Sequence, residues 1–432
     1  MLGAGGRGTL FGGIIRDFKD WARVAAVAEP RDAYRCSFAR THHLEKANIF
    51  KGWQDFCARP KMCDAVVLAT MDRDHVGPAI ACLEKGYHLF LEKPMATTLS
   101  DCQAIEAAQR ASGKVVAVCH SLRYHRGFHT VKDLVDRGRI GRVITMNQIE
   151  QVSYWHQAHS FVRGNWGNEG RSTFMLLAKS CHDIDYMAYL IGAPCRRVAS
   201  YGARSHFRAE HAPAGSTARC ADGCAVERAC PYSAIRQYVE CGARARRQWP
   251  ANVVSSVHTR EAHLEAIRTG PYGRCVWRCD NDVVDHQVVA MEFAGDVTAT
   301  FTMTAFTNGG GRKLRVHGAE GELAFDEKKI VLRRFGEKTA ETIAIPRETG
   351  GHGGGDNRAI RSWLEAIHQG DPSRVLTSAQ ESLRTHRIVF AAEQSRREKR
   401  AVEIEEEAAE SERVPLDASR GSEASSLSTR GG

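Results

Sequence analysis

The chain has 432 residues, a formal net charge of +9, and 43% hydrophobic against 26% charged residues. This length predicts two or three domains, and the composition is typical of a globular protein rather than a disordered or fibrous one. No run approaches the ~20 apolar residues of a membrane span, and the arginines are scattered without a nucleic-acid-binding motif. We therefore expect no membrane and no nucleic-acid partner, and the absence of a signal-peptide pattern favours the cytoplasm.

The chain opens with a glycine-rich run that reads G-x-G-x-x-G, with glycines at positions 3, 5 and 8. An amphipathic stretch follows, and a short apolar run then ends in Glu29. Such glycines allow a tight turn and the close approach of a pyrophosphate, to which the next helix offers free N–H groups. The pattern predicts a dinucleotide-binding site formed by Gly3, Gly5, Gly6, Arg7, Gly8 and Glu29.

The residues around Glu29 bear on which dinucleotide binds. The Glu29 carboxylate can accept both hydroxyls of a ribose and disfavours a 2′-phosphate, whereas Arg31 could attract one. We therefore expect NAD, with NADP as the open alternative. Only Met1 and Leu2 precede the first glycine, although a strand usually has about five residues, so the first strand is expected to be truncated.

Up to residue 120 the chain alternates short apolar runs with amphipathic stretches. Strands are predicted at residues 24–28, 65–69, 88–91 and 115–118, and helices at residues 9–21, 75–85 and 99–112. This alternation predicts an α/β fold, a doubly wound parallel sheet of the Rossmann type over residues 1–120. Ligands bind such sheets at the carboxyl ends of the strands.

Two loops at that edge carry candidate cofactor-binding residues. Thr70, Asp72 and His75 follow one strand, where they either contact a cofactor or, for Asp72 and His75, cap the next helix. Glu92 and Lys93 end another apolar run. We expect this second loop to bring the lysine ammonium to the place where the cofactor meets its substrate.

From residue 121 to about residue 400 the pattern predicts a second α/β domain. Beyond residue 285 a two-residue alternation predicts a large, open, mostly antiparallel sheet. Further helices are expected at residues 128–137, 357–368 and 378–397, and a strand at residues 143–150. Residues 405–432 have almost no large apolar side chains and are expected to be disordered.

Within this second domain lies a stretch that is too polar for a core and too aromatic for a linker. It predicts a loop lining a polar and aromatic cavity, in which rings stack on a sugar-like ligand and polar groups bond its hydroxyls. The candidate substrate-binding residues of this loop are Tyr154, Trp155, His156, His159, Arg163 and Trp166.

A predicted helix at residues 174–191 carries polar side chains among apolar ones. Lys179, His182 and Tyr186 follow one another at spacings that place them on one helix face. A lone histidine is usually a satisfied core residue, but a lysine one turn away makes the pair costly to bury. The pair therefore favours a catalytic site at Lys179 and His182, with Tyr186 beside it for the substrate.

A cysteine-rich insert is predicted at about residues 205–280. Cys220, Cys224 and Cys230 lie within 11 residues on turn-forming sequence, which suits a structural tetrahedral zinc. An iron–sulfur cluster and unmetallated thiols are the alternatives. The candidates for a fourth ligand are Cys241, Cys275, Cys279, His206 and His211.

Several of these motifs together resemble the Gfo/Idh/MocA oxidoreductases, the family of glucose-fructose oxidoreductase and inositol dehydrogenase. The resemblance spans roughly residues 1–400 and is carried by residues 3–8, 86–94, 123–124, 138–141 and 181–185. It implies a Rossmann domain, then an α/β domain with an open antiparallel sheet, with the cofactor at their junction. It also implies dimers or tetramers formed through the outer sheet face. Arg123 and Asp183 lie in the matching segments and are further candidates for substrate binding.

The resemblance implies roles for single residues as well. Lys93 matches the lysine that hydrogen-bonds the reacting hydroxyl, and His182 matches the general acid and base. The family's usual aspartate four residues before the histidine is Ala178 here, which leaves Lys179 as the candidate for a second polar group.

The chemistry that follows is reversible hydride transfer between a nicotinamide and a secondary alcohol of a sugar, cyclitol or related polyol. His182 would take the hydroxyl proton, and the cation of Lys93 would stabilise the developing alkoxide. One alternative is glycoside cleavage through transient oxidation with no net redox change, for which His156 and His159 supply extra acid and base groups. The other is non-catalytic cofactor binding. Net NADH production separates the first two.

Overall fold

A computed structural model describes residues 1–405 of the chain. The expected disordered tail therefore lies, apart from Glu405, outside the described residues. The rest forms an N-terminal parallel sheet and a larger C-terminal sheet, each with its own hydrophobic core. Among the helices of residues 1–405, none is long and apolar enough to cross a membrane.

The N-terminal part is the predicted parallel sheet with helices on both faces. Its strands, in spatial order, are Ile49–Phe50, Val27–Ala28, the bridge residue Leu2, Ala65–Leu68, His88–Leu91 and Val116–Val118. Its helices are Gly6–Asp17, Asp32–Thr41, Trp53–Ala58, Val76–Glu84 and Leu99–Ser112. Strands buried on both faces are apolar throughout, while each covering helix needs only one apolar stripe, which explains the alternation in the sequence.

The first strand is short but fully paired at the centre of the sheet. Leu2 forms parallel bridges with both Ala28 and Leu68. Its N–H donates to the Val67 carbonyl at 2.8 Å, and its carbonyl accepts from the Ala69 N–H at 2.8 Å. The truncation expected from the sequence therefore does not stop this segment from carrying the glycine turn, because the strands on either side hold it.

The C-terminal domain is built on a nine-stranded sheet. In spatial order its strands are Glu341–Ala344, Lys329–Arg334, Gly321–Phe325, Gly311–Gly318, Val143–Gln151, Val297–Thr304, His286–Phe293, Cys195–Ala203 and Val402–Glu403. All neighbours are antiparallel except Val143–Gln151 and Val297–Thr304, which are parallel. The prediction of a large, mostly antiparallel sheet is confirmed.

The helix predicted at residues 174–191 is broken into two. Met175–Ala178 and Cys181–Ile191, hereafter the site helix, are separated by a two-residue turn that contains Lys179. The prediction that Lys179 shares one helix face with His182 and Tyr186 is therefore wrong. Apolar residues continue on both sides of the turn, so the hydrophobic period does not reveal the break.

The aromatic stretch predicted as a loop is helical. Tyr154–His156 forms one helical turn, and Gln157–Arg163 forms a wider π-type turn whose residues are all buried. The loop prediction fails because the insert packs over this stretch and supplies its polar partners, as with His159, whose Nδ1 lies 2.9 Å from the Tyr238 hydroxyl. Such π turns often occur at functional sites.

The remaining helices include the last two of the described residues. Arg126–Asp136 covers the large sheet, and Ala243–Arg246 and Arg260–Thr269 belong to the insert. Gly355–Gln369 and Ala379–Glu398 return to the N-terminal sheet, where Trp363 lies 5.5 Å from the Phe90 ring and Leu383 joins the core. These two helices thus complete the N-terminal layer and join the two domains.

Candidate active site

The glycine turn has the backbone geometry of an anion-binding site. Gly3 has φ 86°, and a Cβ atom there would lie 2.4 Å from the Ala69 carbonyl oxygen; at Gly8 it would lie 2.0 Å from the Gly3 carbonyl oxygen. Gly5 precedes the helix Gly6–Asp17 without a side-chain cap, and that helix has no acid in its first turn. Its first N–H groups and its dipole therefore suit a pyrophosphate.

Glu29 lies beside this turn as an ionised, buried carboxylate. Oε2 accepts from the Ala4 N–H at 2.8 Å, and Oε1 accepts from the backbone N–H and the Nε of Arg31 at 3.0 and 2.7 Å. Burial favours the protonated acid, but these hydrogen bonds and the charge of Arg31 hold the pKa of Glu29 below its usual value. Arg31 also stacks 4.0 Å above the Tyr34 ring. The carboxylate and the guanidinium thus form one fixed pair.

Arg7 links the glycine turn to the helix Gly355–Gln369. Its guanidinium contacts Glu92, and its Nη1 donates to Asp356 Oδ2 at 2.6 Å. Burial opposes the ionisation of Asp356, but the charge of Arg7 and the hydrogen bond with His352 hold the pKa of this acid well below its usual range. The side chains of Arg7 and Glu92, predicted as cofactor contacts, are therefore committed to each other and fix the loop that carries Lys93.

Lys93 crosses the junction between the two domains. Its Nζ donates to the Ala178 carbonyl at 2.5 Å. This carbonyl is available because the helix Met175–Ala178 ends there, so the unpredicted break creates the acceptor. The ammonium group is thereby placed near His182, whose pKa its charge helps to lower.

His182 is a buried imidazole that lacks a partner. It is 1% exposed, and neither ring nitrogen has a hydrogen-bond partner within residues 1–405. Burial, followed by the charge of Lys93, lowers the pKa of His182 well below its usual value. An unsatisfied buried polar group costs about 1–3 kcal/mol, and both nitrogens of the neighbouring His120 ring also lack a partner within the described residues, so this pair of histidines is a candidate functional site.

A second set of charges lies beside the site helix. The Lys179 Nζ lies 3.0 Å from Glu150 Oε1, the Arg312 Nη2 lies 3.0 Å from Glu150 Oε2, and the Arg312 Nε donates to Asp183 Oδ1 at 2.6 Å. Asp183, predicted to bind substrate, is fully buried and instead holds Arg312. The charge of Arg312 also contributes to the lowered pKa of His182, so this network adjoins the imidazole.

Two residues of the aromatic stretch form a wall with one residue of the insert. The Trp249 ring lies 5.4 Å from the Trp155 ring and 4.8 Å from the His156 ring. Burial, followed by the charges of Lys179, His159 and Lys93, lowers the pKa of His156 to about 2. His156 is therefore a neutral imidazole near both lysines. Trp249 stays 48% exposed, which leaves the wall with an open side.

Two predicted substrate-binding residues lie in the core of the second domain. Arg123 is 1% exposed and donates to both carboxylate oxygens of Asp185 at 2.8 Å. Tyr186 is fully buried, and its hydroxyl donates to the Phe128 carbonyl at 2.8 Å. Neither side chain is available to a substrate, because both already hold other parts of the domain. Their assignment to substrate binding is therefore corrected.

Other residues of the aromatic stretch fasten the insert. The guanidinium of Arg163 donates to the carbonyls of Tyr232 and Arg274, both at 2.7 Å. His159 bonds Tyr238 as described, and the Tyr154 ring packs 5.9 Å from the Tyr232 ring. These side chains were predicted to contact substrate, but the polar atoms of Arg163 and His159 and the ring of Tyr154 hold the insert in place.

The loop after the strand Ala65–Leu68 makes contacts between the two domains. Asp72 does not cap the next helix. Its carboxylate already has two partners, because Oδ2 accepts from Trp166 Nε1 at 2.9 Å and from the Ser172 hydroxyl at 3.1 Å. Trp166, predicted to bind substrate, therefore joins the two domains instead. These contacts help to fix the junction between the two domains.

Two further residues of this loop, Thr70 and His75, also have hydrogen-bond partners. The Thr70 hydroxyl donates to the Asp74 carbonyl at 3.1 Å. His75 is fully buried, and its Nδ1 lies 2.9 Å from the Pro94 carbonyl oxygen. His75 thus supports the loop that carries Lys93. Its predicted contact with a cofactor stays a prediction.

The cysteine group faces one small cavity in the insert. Cys220, Cys224 and Cys230 line it together with Cys275 and Arg163. Burial raises the pKa of Cys230 and of Cys275, which favours neutral thiols over thiolates. Over residues 1–405 no three histidine, cysteine, aspartate or glutamate side chains are arranged to hold a metal ion. The expected structural zinc is therefore not supported.

Four residues of the site were missed in the sequence analysis. They are Trp249, Arg312, His352 and Asp356. The run of residues 350–356, in which five glycines surround one histidine before an aspartate, was a usable signal, because such glycine density marks tight backbone. Arg312 and Trp249 gave no local signal, since only the sheet and the insert bring them here.

The sequence matches two models of one protein family. Residues 1–120 match GFO_IDH_MocA, described as the NAD-binding Rossmann fold of an oxidoreductase family. Residues 132–404 match GFO_IDH_MocA_C, described as the C-terminal alpha/beta domain of that family. The two matches follow one another along the chain and correspond to the two sheets.

Individual relatives agree with this match. The chain is 26% identical over 315 residues to putative oxidoreductase YteT of Bacillus subtilis, which covers 68% of this chain and 70% of that protein. It is 26% identical over 199 residues to scyllo-inositol 2-dehydrogenase (NADP(+)) IolW of the same organism, which covers 45% of this chain and 51% of IolW. The second match therefore spans about half the length of that relative.

Solved structures show the same fold. Levoglucosan dehydrogenase in complex with NADH and L-sorbose has a TM-score of 0.69 at 17% identity, covering 94% of this chain and 97% of that chain. An oxidoreductase domain protein from Kribbella flavida has a TM-score of 0.68 at 17% identity, covering 94% and 98%.

Proposed function

Because the chain belongs to the Gfo/Idh/MocA oxidoreductase family and is an NAD(P)-dependent dehydrogenase, we propose that its substrate is a secondary alcohol of a sugar, cyclitol or related polyol. The observation that carries the proposal is that Lys93, at the carboxyl end of an N-terminal strand, donates to the Ala178 carbonyl just before the site helix that carries His182. Two similar proteins are named for scyllo-inositol and levoglucosan, which supports a substrate with several hydroxyls.

The proposed mechanism divides the work between these two side chains. When bound, the nicotinamide accepts the hydride of the alcohol carbon. The neutral imidazole of His182 takes the hydroxyl proton, because its lowered pKa keeps a nitrogen lone pair free near pH 7. Lys93 donates a hydrogen bond to the oxygen and stabilises the negative charge that develops there. The reverse reaction uses the same groups in the opposite order.

The surroundings suit a polyhydroxylated ring. Lys179 and Glu150 place a donor and an acceptor 3.0 Å apart beside the site helix, where adjacent hydroxyls could replace their mutual contact. The rings of Trp155 and Trp249 offer a flat apolar surface of the kind that stacks on the C–H face of a sugar. Polar groups on one side and aromatic rings on the other would orient the alcohol carbon toward the nicotinamide.

The proposed cofactor is NAD. The turn at Gly3, Gly5 and Gly8 fits a pyrophosphate at the end of the helix, and the ionised carboxylate of Glu29 stands where a ribose is expected. The negative charge of Glu29 opposes a 2′-phosphate, although the guanidinium of Arg31 lies against it. The preference for NAD over NADP therefore depends on the opposing effects of the Glu29 and Arg31 charges on a 2′-phosphate.

The variant Glu29→Gln is expected to shift the preference toward NADP by about fivefold in the ratio of dissociation constants, since one charge facing a phosphate is worth about 1 kcal/mol near water. The amide oxygen can still accept from Ala4, so the turn stays folded. Titration of both cofactors by protein fluorescence measures the ratio. The matched variant Asp32→Asn, which removes an exposed acid nearby, should leave it unchanged. An unaltered ratio in Glu29→Gln would show that this carboxylate does not select the cofactor.

The proposed function is tested first by ligand binding and then by turnover. Thermal unfolding is followed with NAD and with NADP, and a panel of myo-inositol, scyllo-inositol, levoglucosan and free hexoses is read at the NADH absorbance band. We expect a rise in the melting temperature with NAD and NADH formation with at least one polyol. The variant Lys93→Met serves as the background for the panel.

Other outcomes of these measurements would indicate other functions for this protein. Sugar release from aryl glycosides without net NADH would indicate glycoside cleavage by transient oxidation. Cofactor binding without either reaction would indicate a binding protein. The absence of any shift with NAD or NADP would contradict the dinucleotide site itself.

A further inference from the structure

His182 needs an exit for the proton that the proposed mechanism gives it. Oxidation of an alcohol releases one proton along with the hydride, and a fully buried imidazole with a lowered pKa does not retain it. His182 itself has almost no exposed surface. A second group must therefore take the proton from His182 and deliver it to water.

Two histidine rings lie next to His182, and only one of them reaches solvent. The His120 ring is 5.9 Å from the His182 ring, but His120 is fully buried, and burial is the main cause that lowers its pKa to about 3. Behind it stands His386, also fully buried and bonded to the Ser382 carbonyl. That direction therefore leads into the core.

The other ring is that of His352. Its centroid lies 5.1 Å from the centroid of the His182 ring, at an interplanar angle of 57°. The side chain of His352 is 28% exposed. A small rotation of either ring, or one intervening water molecule, spans such a separation.

The backbone holds His352 in this place at some cost. His352 has φ 47°, in the left-handed region that residues other than glycine seldom adopt. A Cβ at Gly351 would lie 1.8 Å from Asp356 Oδ2, and one at Gly353 would lie 2.7 Å from His125 Nε2. The glycines therefore let this loop pack against its neighbours, and sparsely populated backbone of this kind is concentrated at functional sites.

Asp356 fixes the orientation of the His352 ring. The Nδ1 of His352 lies 3.0 Å from Asp356 Oδ1. Asp356 is fully buried, and its oxygens also accept from Arg7 and from Ser121, so the carboxylate cannot swing away. With Nδ1 bound to a carboxylate, the other ring nitrogen of His352 is left for proton exchange, as in other carboxylate–histidine pairs.

We infer that His352, oriented by Asp356, carries the substrate proton between His182 and solvent. During oxidation the hydroxyl proton moves to His182, the hydride leaves for the nicotinamide, and His352 accepts the proton from His182 and releases it to water. One alcohol and one oxidised cofactor thus give one ketone, one reduced cofactor and one proton. The role of the path in turnover rests on the proposed function, but the path itself is a property of the folded chain.

The test measures proton exchange without substrate. In protein labelled with ¹⁵N-histidine, the exchange of the His182 ring N–H with water is compared in the wild type, His352→Asn and His352→Gly. Asparagine tolerates positive φ and its amide can still donate to Asp356, so His352→Asn is expected to keep the fold while removing the carrier. We expect exchange at His182 to slow at least about tenfold in both variants.

Rescue and a matched control separate transport from structure. Added imidazole should restore exchange in His352→Gly, which leaves room for it, and less so in His352→Asn. The variant His368→Asn changes an exposed histidine of the following helix, Gly355–Gln369, and should have no effect. Unchanged exchange at His182 in His352→Asn overturns the inference.

Turnover then separates this inference from the proposed function. With the polyol that the wild type oxidises fastest, kcat of His352→Gly should fall about 10- to 100-fold and should recover with imidazole. Slowed exchange in a protein that oxidises no polyol would contradict the proposed function and leave the proton path standing. Normal kcat with polyol in His352→Asn would confirm the reaction and contradict the path.

Discussion

The variant Lys93→Met is expected to lower kcat/KM by about 10²–10³ while leaving the fold intact. The ammonium group donates to the Ala178 carbonyl at 2.5 Å and lies close enough to His182 to lower its pKa. Removing one preorganised donor at a developing oxyanion costs roughly 2.7–4 kcal/mol of transition-state stabilisation, which is the source of the expected factor. Methionine retains the length of the apolar stem, so the loss is one of charge.

Steady-state rates with the best polyol of the panel measure this effect. The variant Lys85→Met, which changes an exposed lysine of the same domain, serves as the matched control and should retain full activity. A Lys93→Met enzyme within threefold of the wild type would remove Lys93 from the reaction. Loss of activity together with a lower melting temperature would instead assign it to the domain junction.

The variant His182→Leu is expected to lower kcat by about 10²–10⁴, the usual contribution of a general acid or base. Its stability should change little or rise, because leucine replaces a buried imidazole whose two nitrogens have no partner within residues 1–405. This combination of lost activity and retained stability is what distinguishes a functional buried histidine from a structural one.

The matched variant His386→Leu should give the opposite result. His386 is equally buried, but its Nδ1 lies 2.7 Å from the Ser382 carbonyl oxygen and its Nε2 accepts from the Met95 N–H at 3.0 Å. Leucine there leaves the buried Met95 N–H without its acceptor, which costs about 1–3 kcal/mol, whereas the Ser382 carbonyl still accepts from the Thr385 hydroxyl. Chemical denaturation of both variants measures the contrast. Equal destabilisation by the two changes would make His182 a structural residue.

The pH profile provides a further check on His182. Burial and the cation of Lys93 lower the pKa of this histidine, so the neutral, proton-accepting form persists below the ordinary histidine pKa of about 6.5. The acid limb of kcat/KM for oxidation should therefore lie below that value. In Lys93→Met the removed charge lets the pKa of His182 rise, and the residual activity should show its acid limb at higher pH.

Much of the fold could be predicted because its signals are local. The glycine turn, the apolar strands and the Glu-Lys-Pro loop follow from short runs whose period or glycine content specifies one conformation. These runs predicted the Rossmann sheet, and the alternation beyond residue 285 predicted the large sheet, both of which are confirmed. Lys93 and His182 were identified in the same way, as polar residues ending or interrupting apolar runs.

The errors arose where one segment packs over another. The turn that contains Lys179 was hidden because apolar residues continue through it, and Arg123 and Tyr186 were taken for site residues because nothing local shows that Asp185 and Phe128 already bind them. The aromatic stretch looked too polar to be buried, since the insert that satisfies it lies some 70 residues further along the chain.

The sequence by itself thus determined the two sheets, and it predicted the dinucleotide turn and the pair Lys93 and His182, because each depends on residues close together in the chain. Only the tertiary structure decided what surrounds that pair. The free carbonyl of Ala178, the Arg312 network and the pairing of His352 with Asp356 each join segments that are far apart in sequence. Burial and charge at such meeting points set the pKa of His182, and with it the proposed chemistry of the site.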